Sequence, residues 1–174
     1  MPHLKELGSW TAAFKEFAFA GSAFVIAGSV TRKGMKENGK ITLTYRISNS
    51  LFPYAKYPLS LMMVVFGIDH FLYPAFVASL VPAWIPGNIF WTYFAGLALI
   101  AGGLGIILNI KARLAANLLG IMLFIWLIIL HIPHALADPS GSLGNEWTSV
   151  FEALAYSGIA FILGQTLAIR RKLA

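Results

Sequence analysis

Five ionisable side chains in or beside the long apolar stretches of this sequence could do chemistry. They are Asp69, His70, His131, His134 and Glu152. An ionisable group inside the hydrocarbon of a membrane costs several kcal/mol, from about 2.5 upward, so such groups usually face a partner or a wet cavity. If the apolar stretches cross a membrane in alternating directions, all five side chains fall in the same leaflet. We therefore predict that they converge on one polar site.

Three kinds of chemistry suit these residue types. A His-x-x-His pair with an Asp-His pair and a facing Glu can coordinate a metal ion, the least favoured of the three. The same groups can relay protons or donate hydrogen bonds to the two carbonyls of a quinone that is bounded by Phe and Trp rings. They can also form a purely structural network in which a carboxylate bonded to a His fixes helix register. The residues alone leave these alternatives open.

The free-energy cost of burying polar groups predicts a specific arrangement of the site. We predict that His70 lies within direct or water-bridged hydrogen-bond reach of Glu152 or His131, with Asp69 nearby, because clustered polar groups satisfy one another. The outer segment 75–88 carries no charge. We expect it to lie in the headgroup region, with Trp84 covering the site, because apolar surface gains by leaving water.

The elements that position these groups are membrane-spanning helices. The chain is 58% hydrophobic and only 11% charged, whereas soluble domains are about 25% charged. About 20 apolar residues cross the hydrocarbon as a helix. Five stretches come close to that length: 10–30, 57–74, 89–110, 114–132 and 147–169. The predicted fold class is an all-α polytopic transmembrane bundle, in which Pro74 ends the second span and Pro133 ends the fourth.

Residues 147–164 repeat the pattern of residues 10–27. Seven identities occur at one constant offset along the chain: Trp10/Trp147, Thr11/Thr148, Phe14/Phe151, Ala18/Ala155, Gly21/Gly158, Ala23/Ala160 and Phe24/Phe161. Self-similarity at a fixed distance indicates duplication, although two apolar helices can also resemble each other by composition. We expect residues 1–40 to be the last helix and linker of a truncated first repeat, and residues 41–174 to form a four-helix membrane unit. The sequence would then be part of a longer protein.

The distribution of basic residues orients the spans. With five spans, eleven of the thirteen Lys and Arg residues fall on one side, in segments 31–58, 111–113 and 170–172. Basic residues favour the cytoplasmic side. We therefore predict a bacterial inner-membrane protein with its N-terminus outside and its C-terminus in the cytoplasm. The net charge of +6 is interpreted as a topology signal, and no nucleic-acid partner is expected.

Several functional classes are excluded by what the sequence lacks. It has no Cys, so disulfides, thiolate metal sites and thiol-disulfide exchange are ruled out. Residues 1–8 lack the basic-then-apolar pattern of a signal peptide. The GGLG run at 102–105 lies inside a span, so we interpret it as a helix-packing motif rather than a phosphate site.

Longer strings of the sequence resemble the DoxX family of small four-helix bacterial membrane proteins. They are FGIDHFLYPAFVASLVPAWIP, with Gly67 three residues before His70, then a Gly-rich span, KARLAANLLGIMLF and HIPH. The resemblance covers about residues 51–169. It implies a four-helix membrane bundle that is often redox-associated; the family takes its name from a subunit of a thiosulfate:quinone oxidoreductase. The absent Cys and the tandem copy depart from a plain single-unit member.

These observations lead to two functional hypotheses. The first is a redox- or quinone-associated membrane protein acting through an outer-leaflet polar cavity, with a quinone as the candidate cofactor. The second is a non-catalytic scaffold or assembly factor of a membrane complex. The expected partners are the lipid bilayer, a membrane redox protein and further copies of the chain. Whether the chain is an enzyme is not decided by the sequence.

Overall fold

The computed structural model describes Ala13, residues 15–27, Ser50, residues 54–139 and residues 145–173, with the side chains of 145 and 168–173 left aside. All regular structure in these residues is helical, as the composition predicts, and they contain no strand. The elements are α1 (15–27), α2 (Lys56–Leu72), α3 (Pro74–Leu80), α4 (Asn88–Ile107), α5 (Ala112–Trp126), α6 (Ile132–Ala137) and α7 (Asn145–Leu173). A π-helical turn, Leu127–His131, joins α5 to α6.

Three helices in the described residues are long and apolar enough to cross a membrane. They are Asn88–Ile107, Ala112–Ala137 and Glu146–Leu167. A fourth span is formed if α2 and α3, which meet at an angle of 101°, are taken together. The predicted first span, 10–30, and the segment 31–53 lie partly or mostly outside the described residues.

The bend between α2 and α3 has a local cause at Tyr73. A residue before proline is disfavoured in the α region, and Tyr73 has φ −124° and ψ 49°. Pro74 then occupies the first position of α3, where its missing N–H removes no helical hydrogen bond. Pro74 was expected only to end a span. It also begins a new helix, which takes up residues 75–80 of the uncharged segment 75–88.

Glycine allows α2 and α4 to pack at close range. A Cβ at Gly103 would lie 2.6 Å from the Ser60 carbonyl oxygen, and one at Gly67 would lie 2.7 Å from the Gly96 carbonyl oxygen. On the neighbouring face, a Cβ at Gly102 would lie 2.6 Å from Leu119 of α5. The interpretation of the GGLG run as a packing motif is thus confirmed.

Lys56 closes the far end of this helix pair. Its side chain is buried, and its ammonium donates to the carbonyls of Ile106 and Ile107 at 3.1 and 3.2 Å and to Asn109 Oδ1 at 2.7 Å. The last carbonyls of a helix lack intrahelical donors and carry the negative end of its dipole. Lys56 therefore acts as a C-terminal cap for α4.

The prediction that Pro133 ends the fourth span was wrong. The helix runs through Pro133 and continues to Ala137, since the π-helical turn Leu127–His131 precedes it. A proline inside an α-helix removes a hydrogen bond and clashes with the carbonyl four residues earlier. A π turn changes the hydrogen-bonding pattern from i→i+4 to i→i+5 at this point, so the chain passes the proline without leaving the helix.

Helix α1 packs between α2 and α7. Ala18 and Val25 are fully buried and belong to the main core with Leu59, Met63 and Ile159. A Cβ at Gly21 would collide with the ring of Pro58 at the start of α2. The three helices therefore meet along most of the described length of α1.

Candidate functional site

An ion pair joins α1 to α7 at the end of the bundle where α7 begins. Lys15 Nζ lies 2.7 Å from Glu152 Oε2, and the two side chains are 25% and 17% exposed. A charge-assisted hydrogen bond of this length is stronger than one between neutral groups. In surroundings of low dielectric it is stronger still, provided that both charges stay paired.

Aromatic rings enclose this ion pair. The Tyr156 hydroxyl donates to the Lys15 carbonyl at 3.0 Å, and the Tyr156 ring stacks on Phe19 with centroids 4.5 Å apart. On the other side, Lys15 Nζ lies 5.7 Å from the centroid of the Phe66 ring of α2, within the range of a cation–π contact. Lys15 is thus the point at which α1, α2 and α7 meet.

His131 lies beside the ion pair and is the last residue of the π turn. Its ring is partly buried and lies within electrostatic range of Lys15 and His134. Its imidazole makes no hydrogen bond to any residue that the structure describes. π turns inside α-helices are often found at functional sites, and this one presents an imidazole next to an ammonium and a carboxylate.

The two other histidines of the site are held by backbone carbonyls. His134 Nε2 donates to the Leu80 carbonyl at 2.9 Å, which ties α6 to the end of α3. His70 Nδ1 donates to the Phe66 carbonyl at 2.7 Å within α2. A carbonyl oxygen only accepts, so each of these nitrogens carries its proton. Asp69 neighbours His70, and its charge acts on that ring.

The predicted site residues therefore separate into two groups. Glu152 and His131 come together around Lys15. Among the described residues, His70 is connected to this group through Phe66, whose ring it meets edge-on with centroids 6.0 Å apart. No hydrogen bond joins His70 to Glu152 or His131 within the described part of the chain. Trp84 is 72% exposed, so most of its ring faces the surroundings of the protein.

Lys15 is the site residue that the sequence interpretation missed. It lies within the predicted first span, 10–30, but was not included among the polar groups of the predicted site. The signal that could have identified it is the repeat. The step from Lys15 to Glu152 equals the step from Trp10 to Trp147, so the two residues occupy equivalent positions of the two copies. Opposite charges at equivalent positions of two similar apolar helices suggest that the helices pair.

Metal coordination receives no support from the geometry. Within the described residues, no group of three or more His, Asp and Glu side chains is arranged to hold a metal ion. The Lys15 ammonium beside His131 would also repel a cation. The arrangement suits a neutral or anionic polar group that accepts hydrogen bonds from the ammonium and the imidazole, with apolar surroundings for the rest of the ligand.

Comparison with known proteins gives one match. The model of a family described as "Domain of unknown function (DUF8561)" matches residues 59–154, more than half of the chain. This range includes α2 from its fourth residue, α3 to α6 and the first part of α7, with Glu152 and His131 but not Lys15. Neither the curated proteins nor the solved structures contain a match.

Proposed function

We propose that this chain, which belongs to the DUF8561 family, is a redox-associated membrane protein that binds the headgroup of a quinone between Lys15, Glu152 and His131. The observation that carries the proposal is the imidazole of His131. It lies next to an ion pair and has no hydrogen-bond partner among the described residues. Polar groups in such surroundings gain about 1 kcal/mol or more from a partner.

The chemistry of a quinone fits these groups. Its two carbonyls accept hydrogen bonds, which the Lys15 ammonium and a protonated imidazole nitrogen can donate. Its ring and isoprenoid tail suit the neighbouring aromatic surfaces of Phe19, Phe66 and Tyr156. On reduction a quinone takes up two electrons and two protons, and Glu152 and His131 are groups that can exchange protons with it.

The proposal includes the position of the chain in the membrane. The apolar helices form a four-helix DoxX-like unit, with α1 as an additional N-terminal transmembrane helix. The cluster then lies in the outer leaflet of a bacterial inner membrane. The supporting observations are the positive-inside distribution of charge and the motif strings around His70 and His134.

Equilibrium binding of a quinone analogue to the purified full chain in lipid nanodiscs tests this function. We expect saturable binding of a short-chain ubiquinone or menaquinone analogue. His131→Leu should weaken it about tenfold, because one hydrogen bond of about 1.4 kcal/mol is lost. Ile128→Leu is the matched control, since Ile128 lies in the same turn and is exposed. Binding that His131→Leu leaves unchanged, or no binding at all, contradicts the proposal.

A second candidate is a non-catalytic scaffold for a membrane complex. It is favoured by the hydrogen bonds that already satisfy His70, His134 and Glu152 within the protein. Under this alternative, the wild-type chain binds no quinone. Lys15→Met or Glu152→Gln would then lower stability and the recovery of partner proteins together.

A further inference from the structure

Helices α1 and α7 pair through equivalent positions of the internal repeat. Lys15 bonds to Glu152, and Phe19 stacks on Tyr156. In both pairs the partners are separated by the same offset that carries the seven identities. An interface in which each residue meets its own counterpart is isologous, the type that a two-fold axis produces. An approximate two-fold axis therefore passes between α1 and α7.

One face of the repeated helix is more deeply buried on α1 than on α7. On α1, Ala18 and Val25 are fully buried, and Gly21 packs on Pro58 at the start of α2. Their counterparts on α7 are Ala155 and Ile162, which are only partly buried at the edge of the main core, and Gly158. Gly158 is exposed, and a Cβ placed there meets nothing within 4 Å. Helix α7 thus has an open surface at the place where α1 holds α2.

A second face shows the reverse difference. On α7, Ala153, Ser157 and Ala160 are buried, and Ser157 donates to the Gly120 carbonyl of α5 at 2.9 Å. Their counterparts on α1 are Glu16, Ala20 and Ala23, which are all exposed. Phe161 contacts Gly120, whereas its counterpart Phe24 is 39% exposed. Helix α1 thus has an open surface at the place where α7 holds α5.

A single helical bundle would fit the open surfaces of both α1 and α7. In this chain α2 and α5 belong to a single bundle, which they form with α4. Applying the two-fold axis to this bundle generates the position of a second bundle of the same type. Its α2-like helix would pack on Gly158 of α7, and its α5-like helix would pack on Phe24 of α1. We propose that the exposed faces of α1 and α7 dock a partner polypeptide. This partner presents a DUF8561-type bundle equivalent to α2–α6, and α1 takes the place of the last helix of that bundle.

The exposed carboxylate of Glu16 on this surface adds a chemical requirement on the partner. Glu16 corresponds to Ala153, which packs with Leu127, Ile132 and Ala135 around the π turn that carries His131. The equivalent turn of the partner would face Glu16. A His or another hydrogen-bond donor at that position would satisfy a carboxylate that would otherwise lie at the apolar interface.

Photo-cross-linking of the full chain in its native membranes tests the docking surface. Benzoylphenylalanine replaces Phe24 of α1 or Phe151 of α7, both exposed, and replaces Leu118 of α5 as the control. Leu118 is also exposed, and it lies two residues before Gly120 and therefore on the side of α5 away from α7. We expect protein adducts at the first two positions and lipid adducts alone at the third. Sequencing should assign the two adducts to one polypeptide, with an α5-like segment at Phe24 and an α2-like segment at Phe151.

A bulky substitution supplies the independent check. Ala23 is exposed on α1, so Ala23→Trp leaves the core of the chain intact but obstructs the partner. It should abolish the adduct at Phe151 as well as that at Phe24, since one body contacts both helices. Ala101→Trp, at an exposed position of α4, should abolish neither. Lipid adducts alone at Phe24 and Phe151, adducts to a second copy of this chain, or adducts to two unrelated polypeptides would each overturn the proposal.

Discussion

At the scale of single residues, the site is organised around Lys15 rather than around a histidine. The ammonium pairs with Glu152, lies over the Phe66 ring and acts on His131. Each of these contacts joins α1 to a different part of the bundle. Removing one charge of a partly buried pair leaves the other without its partner in apolar surroundings, which costs more than losing the attraction itself.

A charge-exchange series checks the ion pair. Lys15→Glu and Glu152→Lys should each lower the free energy of unfolding by on the order of 3 kcal/mol, because two like charges then share apolar surroundings. The double variant should regain most of that loss. Unfolding of the purified chain in detergent, followed by circular dichroism, measures all four proteins. Additive losses in the double variant would show that the two side chains do not interact.

At the scale of elements, close helix contacts at glycine determine how the cluster is held. Gly67, Gly96 and Gly103 bring α2 against α4, and α2 presents Phe66 and His70 to the site. In lipid, helices associate through packing rather than through hydrophobic burial, so small residues at a crossing have a large effect.

Two glycine substitutions separate packing from helix propensity. Gly103→Ala should destabilise the chain by about 1–3 kcal/mol, because its methyl would lie 2.6 Å from the Ser60 carbonyl oxygen and the helices would have to separate. Gly158→Ala meets nothing within 4 Å, so it should be neutral or stabilise the helix by up to about 1 kcal/mol. Thermal unfolding of both variants in the same detergent compares them. Equal effects would contradict the packing explanation.

The sequence predicted the helices better than the turns and contacts that connect them. The apolar runs gave α4 and α7 because their length suits a span, and the turn before Pro74 follows from proline sterics. The π turn before Pro133 has no comparable sequence signature, so α6 was missed. The acceptors of His70 and His134 are backbone carbonyls, which side-chain patterns do not reveal. The Lys15–Glu152 pair could have been predicted from the offset of the repeat, because it joins equivalent positions of the two copies.

At the scale of the whole molecule, the unequal distribution of charge predicts the orientation. The opposite end of the bundle carries the buried Lys56 and the exposed Lys111 and Arg113. The cluster of Lys15, Glu152 and His131 lies at the other end of the same helices. Positive-inside bias therefore predicts that the cluster lies in the leaflet away from the cytoplasm.

Labelling of single cysteines in intact cells checks this orientation, since the chain has no Cys of its own. A membrane-impermeant maleimide should label a Ser142→Cys variant, because the loop before α7 is expected outside. An Asn38→Cys variant should be labelled only after lysis, because segment 31–58 is expected in the cytoplasm. The reverse pattern would place the cluster in the cytoplasmic leaflet.

The quinone content of the isolated protein is the most direct measure of the proposed function. The full chain is purified from native membranes in mild detergent, extracted with organic solvent and analysed by chromatography, beside His131→Leu and the control Ile128→Leu. We predict close to one quinone per chain in the wild type and in Ile128→Leu, and a severalfold lower content in His131→Leu. Equal quinone content in all three proteins, or none in the wild type, would contradict quinone binding at His131.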